Sequence, residues 1–181
     1  MTKTITLQKI SQTMSFILRH SPETFSLTLS SGGWVKTSEL AEALTAHFNE
    51  TISVEKISEV VAHDSKQRYA ILGELIRASQ GQSIPVNLEL VSQVPPAILL
   101  HGTVEANIAS IMGTGLNAGS RNFVHLSESV ATATQVAARY GVPVILEINT
   151  VEAIESGVEF FKSENNVWLA THVPAEFIKL S

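Results

Sequence analysis

The proline pair Pro95-Pro96 separates two stretches with different hydrophobic rhythms. Proline disfavours helix in the residue before it, so the pair reads as a break. Upstream, apolar residues recur every three or four positions. Downstream, they come mostly in runs of strand length. A chain of 181 residues permits one large domain or two small ones. The change of rhythm favours two, with the junction between about Gln82 and Pro96. The expected units are 1–90, mostly helical, and 91–181, mostly sheet with two helices. This is an α+β chain.

The first unit opens with a helix expected over residues 7 to 20. Leu7, Ile10, Met14, Ile17 and Leu18 share one face, and Ser21-Pro22 ends it. Arg19 and His20 fall in the last turn, where cations offset the helix dipole. Ser31-Gly32-Gly33 reads as a turn and Trp34-Val35 as a short strand. Thr37 or Ser38 is placed to cap a helix carrying Leu40, Leu44 and Phe48, and Ser53 to cap another carrying Val54, Ile57, Val60 and Val61. Tyr69 to Leu72 and Leu75 to Arg77 read as a hairpin, with Gly73-Glu74 suiting a type II′ turn. Helix, helix, helix, hairpin is the order of a winged helix, a module that often binds nucleic acid.

In the second unit, Ala97 to Leu100 reads as a buried strand that stops at His101-Gly102-Thr103. A helix follows, with Val104, Ile108, Ile111, Met112 and Gly115 on one face. Arg121 comes next, then a short strand, Phe123 to Leu126, that carries His125. The residue types suit a dinucleotide. Gly102 lets a ligand approach the backbone, and a helix start behind Thr103 offers N–H groups to an anion. Neutral histidines can bond sugar hydroxyls, and arginine can grip phosphate with its fork. Ser127 is placed to cap a helix over about 128 to 140, which Gly141-Val142-Pro143 ends. Val144 to Ile148 reads as a strand, Ala153-Ile154 as a short turn of helix, and Val158 to Phe161 and Val167 to Ala170 as strands about a turn at Glu164-Asn165-Asn166. A last short strand is expected near Phe177-Ile178.

The net charge of −5 bears on partners. A protein that binds long nucleic acid through phosphates is usually basic, so any such contact here must be local. Cysteine is absent, which excludes disulfides, zinc-thiolate sites and cysteine nucleophiles. No carboxylate cluster suggests a metal. Met1-Thr2-Lys3-Thr4 lacks the pattern of a signal peptide, and no apolar run approaches the roughly 20 residues of a membrane span. A cytoplasmic monomer is expected.

Taken in order, these motifs resemble the RNA 2′-phosphotransferases of the KptA type. The matching residues run nearly end to end: Phe16 to Pro22; Gly33-Trp34-Val35; Asp64 to Tyr69; Arg77-Ala78-Ser79-Gln80-Gly81; Leu100 to Thr103; Arg121 with Val124 to Ser127; and Asn165 with Val167-Trp168-Leu169. The resemblance implies a winged-helix lobe that binds RNA and phosphate, followed by an ADP-ribosyltransferase-like lobe that binds NAD as co-substrate, without a metal. It implies removal of an internal 2′-phosphate, of the kind tRNA splicing leaves. The phosphate attacks the anomeric carbon of the nicotinamide ribose and expels nicotinamide. The ribose 2″-hydroxyl then attacks phosphorus, giving RNA with a 2′-hydroxyl and ADP-ribose 1″,2″-cyclic phosphate.

By the same resemblance, Arg19, His20, Arg68 and Arg121 surround the phosphate as the catalytic set. His101, Gly102 and Thr103, His125, Leu126 and Ser127, and Arg77, Gln80 and Gly81 bind NAD. Val167 takes a position where many ADP-ribosyltransferases carry glutamate, with Glu164 close by in sequence. Two departures from the family pattern stand out: Gln82 where it usually has histidine, and Asn166 where it has glycine. Arginines suit the chemistry because they orient a phosphate without taking its proton and stabilise charge growing on its oxygens. His20 could bond the phosphate or move a proton. Two other readings stay open: an ADP-ribosyltransferase acting on terminal phosphates or a small phosphorylated acceptor, and a winged-helix regulator that senses a nucleotide.

Overall fold

The computed structural model describes residues 5–181. The expectation about Met1 to Thr4 therefore lies outside the described residues. Among these residues the chain is a mixture of six α-helices and four small antiparallel sheets, and its internal contacts divide it between Glu89 and Leu90. None of the described helices is long and apolar enough to cross a membrane.

The first unit runs α1 (Leu7–Arg19), β1 (Val35–Lys36), α2 (Thr37–Phe48), α3 (Val54–Ala62), β2 (Tyr69–Leu72) and β3 (Leu75–Ala78). Thr6 caps α1 by accepting from the Lys9 N–H, and Ser53 caps α3 by accepting from the Lys56 N–H. The apolar stripe of α1 is fully buried at Ile10, Met14, Ile17 and Leu18, against Leu40, Leu44, Ile57 and Ile76. Each such side chain contributes roughly 1.5–3 kcal/mol by leaving water. The sheet order is β1-β3-β2, and Leu72 pairs with Leu75 across the two-residue turn. Gly73 supplies the positive φ (58°) that the type II′ turn requires at its first position. One expectation fails here. Neither Thr37 nor Ser38 caps α2; Lys36 is the capping residue, without a side-chain bond. The Thr37 N–H and hydroxyl both donate to the Glu74 carbonyl, at 2.8 and 2.9 Å, which ties the helix to the hairpin instead.

The second unit runs β4 (Ile98–Val104), α4 (Glu105–Thr114), β5 (Leu116–Asn117), β6 (Val124–Leu126), α5 (Val130–Ala137), β7 (Pro143–Asn149), α6 (Thr150–Glu155), β8 (Phe160–Lys162), β9 (Trp168–Ala170), β10 (His172–Val173) and β11 (Ile178–Leu180). Two three-stranded sheets, β11-β7-β4 and β6-β9-β8, carry the core of Leu99, Leu126, Leu146, Ile148, Phe160 and Trp168. A bridge between Leu100 and Ser127 joins them. Asn166 turns the β8–β9 connection with φ 61°, as an asparagine tolerates.

Three expectations change in this unit. The first strand does not stop at His101. All seven residues of β4 pair with β7, through Val104 opposite Pro143, and this ladder holds His101-Gly102-Thr103 extended. The helix behind them starts at Glu105, whose carboxylate occupies the first turn and makes that end a poor place for an anion. Ser127 does not cap α5. Its N–H and carbonyl are both bonded to Leu100, at 2.8 Å each, so the chain stays extended and Ser129 caps the helix two residues later. The helix itself covers 130–137 rather than 128–140. Ala153-Ile154 lies within a six-residue helix capped by Asn149, which makes three α-helices in this unit rather than two.

Candidate functional site

In the first unit, the chain around Gly81 closes over the end of α1. His20 terminates the helix, its N–H bonded to the Phe16 carbonyl. The Ser83 N–H donates to the Arg19 carbonyl at 2.9 Å, and the Ser83 hydroxyl lies 2.8 Å from His20 Nδ1. Gly81 has φ 89°, and a Cβ there would stand 3.4 Å from Arg19 Cζ. A glycine thus permits both the backbone turn and the approach to the half-buried guanidinium. Arg19 and His20 are foreseen from the sequence, whereas Ser83 is not.

Arg68 is set by Asp64, four residues earlier. The buried Asp64 side chain accepts from the Arg68 backbone N–H at 2.7 Å through Oδ2 and from Arg68 Nη1 through Oδ1. This pairing fixes a guanidinium that has five donors, one of them bound here, for work with the rest. The following residue, Tyr69, is tied to α1. The Tyr69 hydroxyl donates to the Ser11 carbonyl at 2.6 Å and feels the charges of both Arg19 and Arg68. Burial nevertheless pushes its pKa up. Arg77 is placed differently: it is 7% exposed, stacked 4.4 Å over the Trp34 ring, and donates to the Gly32 carbonyl. Gln80 is half-buried, and Gln82, buried, donates to the Ala78 carbonyl at 2.7 Å. The amide that stands where the resemblance expects histidine therefore ties down the loop after β3.

In the second unit, His101, His125 and Arg121 are brought together. His101 Nδ1 lies 3.0 Å from the His125 carbonyl oxygen, and Arg121 Nη1 lies 3.4 Å from His125 Nδ1. A carbonyl can only accept and a guanidinium can only donate, so the partners assign the ring protons. His101 carries its proton on Nδ1 and offers Nε2 as an acceptor. His125 presents Nδ1 to the Arg121 guanidinium, which can only donate to it. Burial lowers the His101 pKa, opposed by the bond to His125, so the ring is held neutral.

The neighbouring positions are more structural than expected. A Cβ on Gly102 would collide with the Ala133 carbonyl, so α5 occupies the space that the missing side chain leaves. Helix–strand packing by itself requires glycine here. Thr103 is buried and accepts from Asn107 at 3.2 Å. The Leu126 side chain is core. The signal missed in this unit is Glu128, which accepts from Trp168 Nε1 at 2.6 Å and from Lys162 Nζ at 3.2 Å. It pins β9, just past Val167, to the segment after Ser127. Among the described residues no group of three or more His, Asp or Glu side chains is gathered as a metal site.

Comparison with known proteins adds to this geometry. Residues 6–172 match the family described as RNA 2′-phosphotransferase, Tpt1/KptA family. The chain is 45% identical over 173 residues to a probable RNA 2′-phosphotransferase of Acaryochloris marina, covering 94% of this chain and 95% of the relative. A relative of the same description from Herpetosiphon aurantiacus is 44% identical over 176 residues, covering 96% of each. One from Fusobacterium nucleatum is 44% identical over 174 residues, covering 94% of this chain and 97% of the relative.

Proposed function

The chain belongs to the RNA 2′-phosphotransferase, Tpt1/KptA family, and from that premise we propose that it removes an internal 2′-phosphate from RNA by transfer to NAD. The first unit is read as a winged-helix lobe for the phosphorylated RNA. The second is read as an ADP-ribosyltransferase-like lobe for NAD. The observation that supports the NAD reading is the gathering of His101, His125 and Arg121, with His101 Nδ1 3.0 Å from the His125 carbonyl and Arg121 Nη1 3.4 Å from His125 Nδ1. Imidazoles suit ribose hydroxyls, which both donate and accept, and a guanidinium suits phosphate.

In the first step a 2′-phosphate oxygen attacks the anomeric carbon of the nicotinamide ribose, and nicotinamide leaves with the bonding pair. Arg19, His20 and Arg68 bind and orient the phosphate. Each charged hydrogen bond contributes roughly 1.5–3 kcal/mol net. In the second step the ribose 2″-hydroxyl attacks phosphorus and the RNA 2′-oxygen departs, taking a proton. Charge grows on the equatorial oxygens, and Arg121 is assigned to stabilise it. His20, with Nδ1 on Ser83, is the group available to carry the proton. Its neighbour Arg19 stays charged throughout and cannot do so.

The test is one incubation of the protein with NAD and a short RNA carrying a single labelled internal 2′-phosphate. Label in a small cyclic-phosphate product, with nicotinamide released in step, is the expected result. Nicotinamide released while the label stays on RNA would leave an ADP-ribosyltransferase, to be tried next on terminal phosphates and small phosphorylated acceptors. No change in either, with folded protein, would overturn the reading.

A further inference from the structure

The first unit contains a hollow of about 460 Å³, wholly within that unit, along the exposed face of α1 and the end of α3. Its lining includes Gln8, Ser11, Gln12 and Ser15 of α1, with His63 and Arg68 opposite. The α1 residues are not scattered. The spacing from Gln8 to Gln12 to Ser15 is four and three, and four more residues along the same face reach Arg19. At about 1.5 Å per residue, Ser15 lies roughly 6 Å along the axis from Arg19, and Gln8 roughly 16 Å. A stripe of amides and hydroxyls therefore runs from the hollow to the arginine assigned to the phosphate, and Arg68 borders the hollow itself.

The charge pattern selects the occupant. The chain has 17 Asp and Glu residues, yet α1 contains none. The carboxylate in the hollow's lining, Asp64, is buried and bonded to Arg68. The hollow thus offers neutral donors and acceptors and one guanidinium, in a protein whose net charge is −5. His63 adds a ring held at Nδ1 by the Glu59 carbonyl at 2.8 Å. Such a surface does not repel a phosphodiester, and it can bond the edges of an unstacked base and a ribose 2′-hydroxyl. The volume lies in the range of small-molecule sites, roughly 300–1,000 Å³.

We propose that this hollow is a subsite for the nucleotide adjoining the 2′-phosphorylated one, so that the protein reads its RNA beyond the phosphate. The proposal rests on the reading of Arg19 and Arg68 as phosphate ligands.

The test measures equilibrium binding, which requires no turnover. A fluorescent tetranucleotide with one internal 2′-phosphate and a nucleoside 2′-phosphate are compared on the wild-type protein and on Gln12→Ala/Ser15→Ala. Alanine keeps the helix, and circular dichroism checks the fold. The expected result is a loss of about tenfold in tetranucleotide affinity beyond any change for the mononucleotide, the scale of two neutral hydrogen bonds. Equal losses for both ligands, or none, would overturn the subsite. Arg68→Ala is run alongside. If it leaves both affinities unchanged, the phosphate assignment fails, and that failure is distinguishable from the loss of the hollow's role.

Discussion

His101 Nδ1 donates to the backbone carbonyl of His125 at 3.0 Å, and this bond between two strands fixes the tautomer of the His101 ring. It orients His101 with Nε2 as acceptor, and burial keeps the ring neutral. The His125 imidazole is left to meet Arg121. The role of the His101 ring, which sequence leaves open, is thus decided by one backbone contact.

The lowered pKa of His101 has a pH consequence. The unfolded ring binds its proton near pH 6.5, the folded ring only at lower pH. Between these values the unfolded chain holds more protons, so stability falls as pH drops below about 6.5. Exposed Glu55, Glu59 and Glu128 and half-buried Glu147 have pKa values lowered from 4.5 and titrate below this window. Urea midpoints at pH 7.5 and 5.5 should differ in the wild-type protein and differ less in His101→Asn. An identical drop in both proteins would refute a neutral His101.

Arg121→Ala should lower turnover about 100-fold or more, the scale of losing one donor to a transition state. Its guanidinium is exposed and meets His125 through a long bond, so thermal stability should hardly change. Single-turnover rates with labelled 2′-phosphorylated RNA give the answer. An unchanged rate removes the arginine from the mechanism.

Asp64 acts through Arg68. Asp64→Asn keeps the shape but removes the charge that pairs with the guanidinium. The expected effect is a rise in KM for RNA of about tenfold, as Arg68 loses its orientation, with KM for NAD unchanged. A merely structural role would raise neither KM selectively and would appear instead as a lower melting temperature.

Gly102→Ala should destabilise the second unit by about 1–3 kcal/mol or more, because the added methyl meets the Ala133 backbone carbonyl rather than a flexible side chain. Chemical denaturation measures the loss. A neutral substitution would mean that α5 shifts freely on β4.

RNA binding should depend only modestly on salt. With three or four arginine and histidine contacts and a net charge of −5, the slope of log affinity against log salt should be roughly −2 to −3 for a single strand. A slope much steeper than this would point to a long electrostatic track and away from a local phosphate site.

Much of the molecule is legible in its sequence because local rules govern it. The stripe of Ile10, Met14, Ile17 and Leu18 specifies α1 by period alone. Ser53 caps α3, and Gly73 turns the hairpin. The ordered motifs identify the family. Tertiary structure decided the rest. Thr37 and Ser127 look like helix caps in sequence, but each is bonded to a distant backbone, Glu74 and Leu100. The need for glycine at Gly102 is set by Ala133, on a helix well separated from it along the chain. The two-residue strands β5 and β10 exist through their pairing with each other. The ring proton of His101 follows from a carbonyl on another strand. Period and propensity act over a few residues, whereas a cap, a close approach or a ring proton depends on which atom the fold brings within about 3 Å, and that is set only when the chain closes on itself.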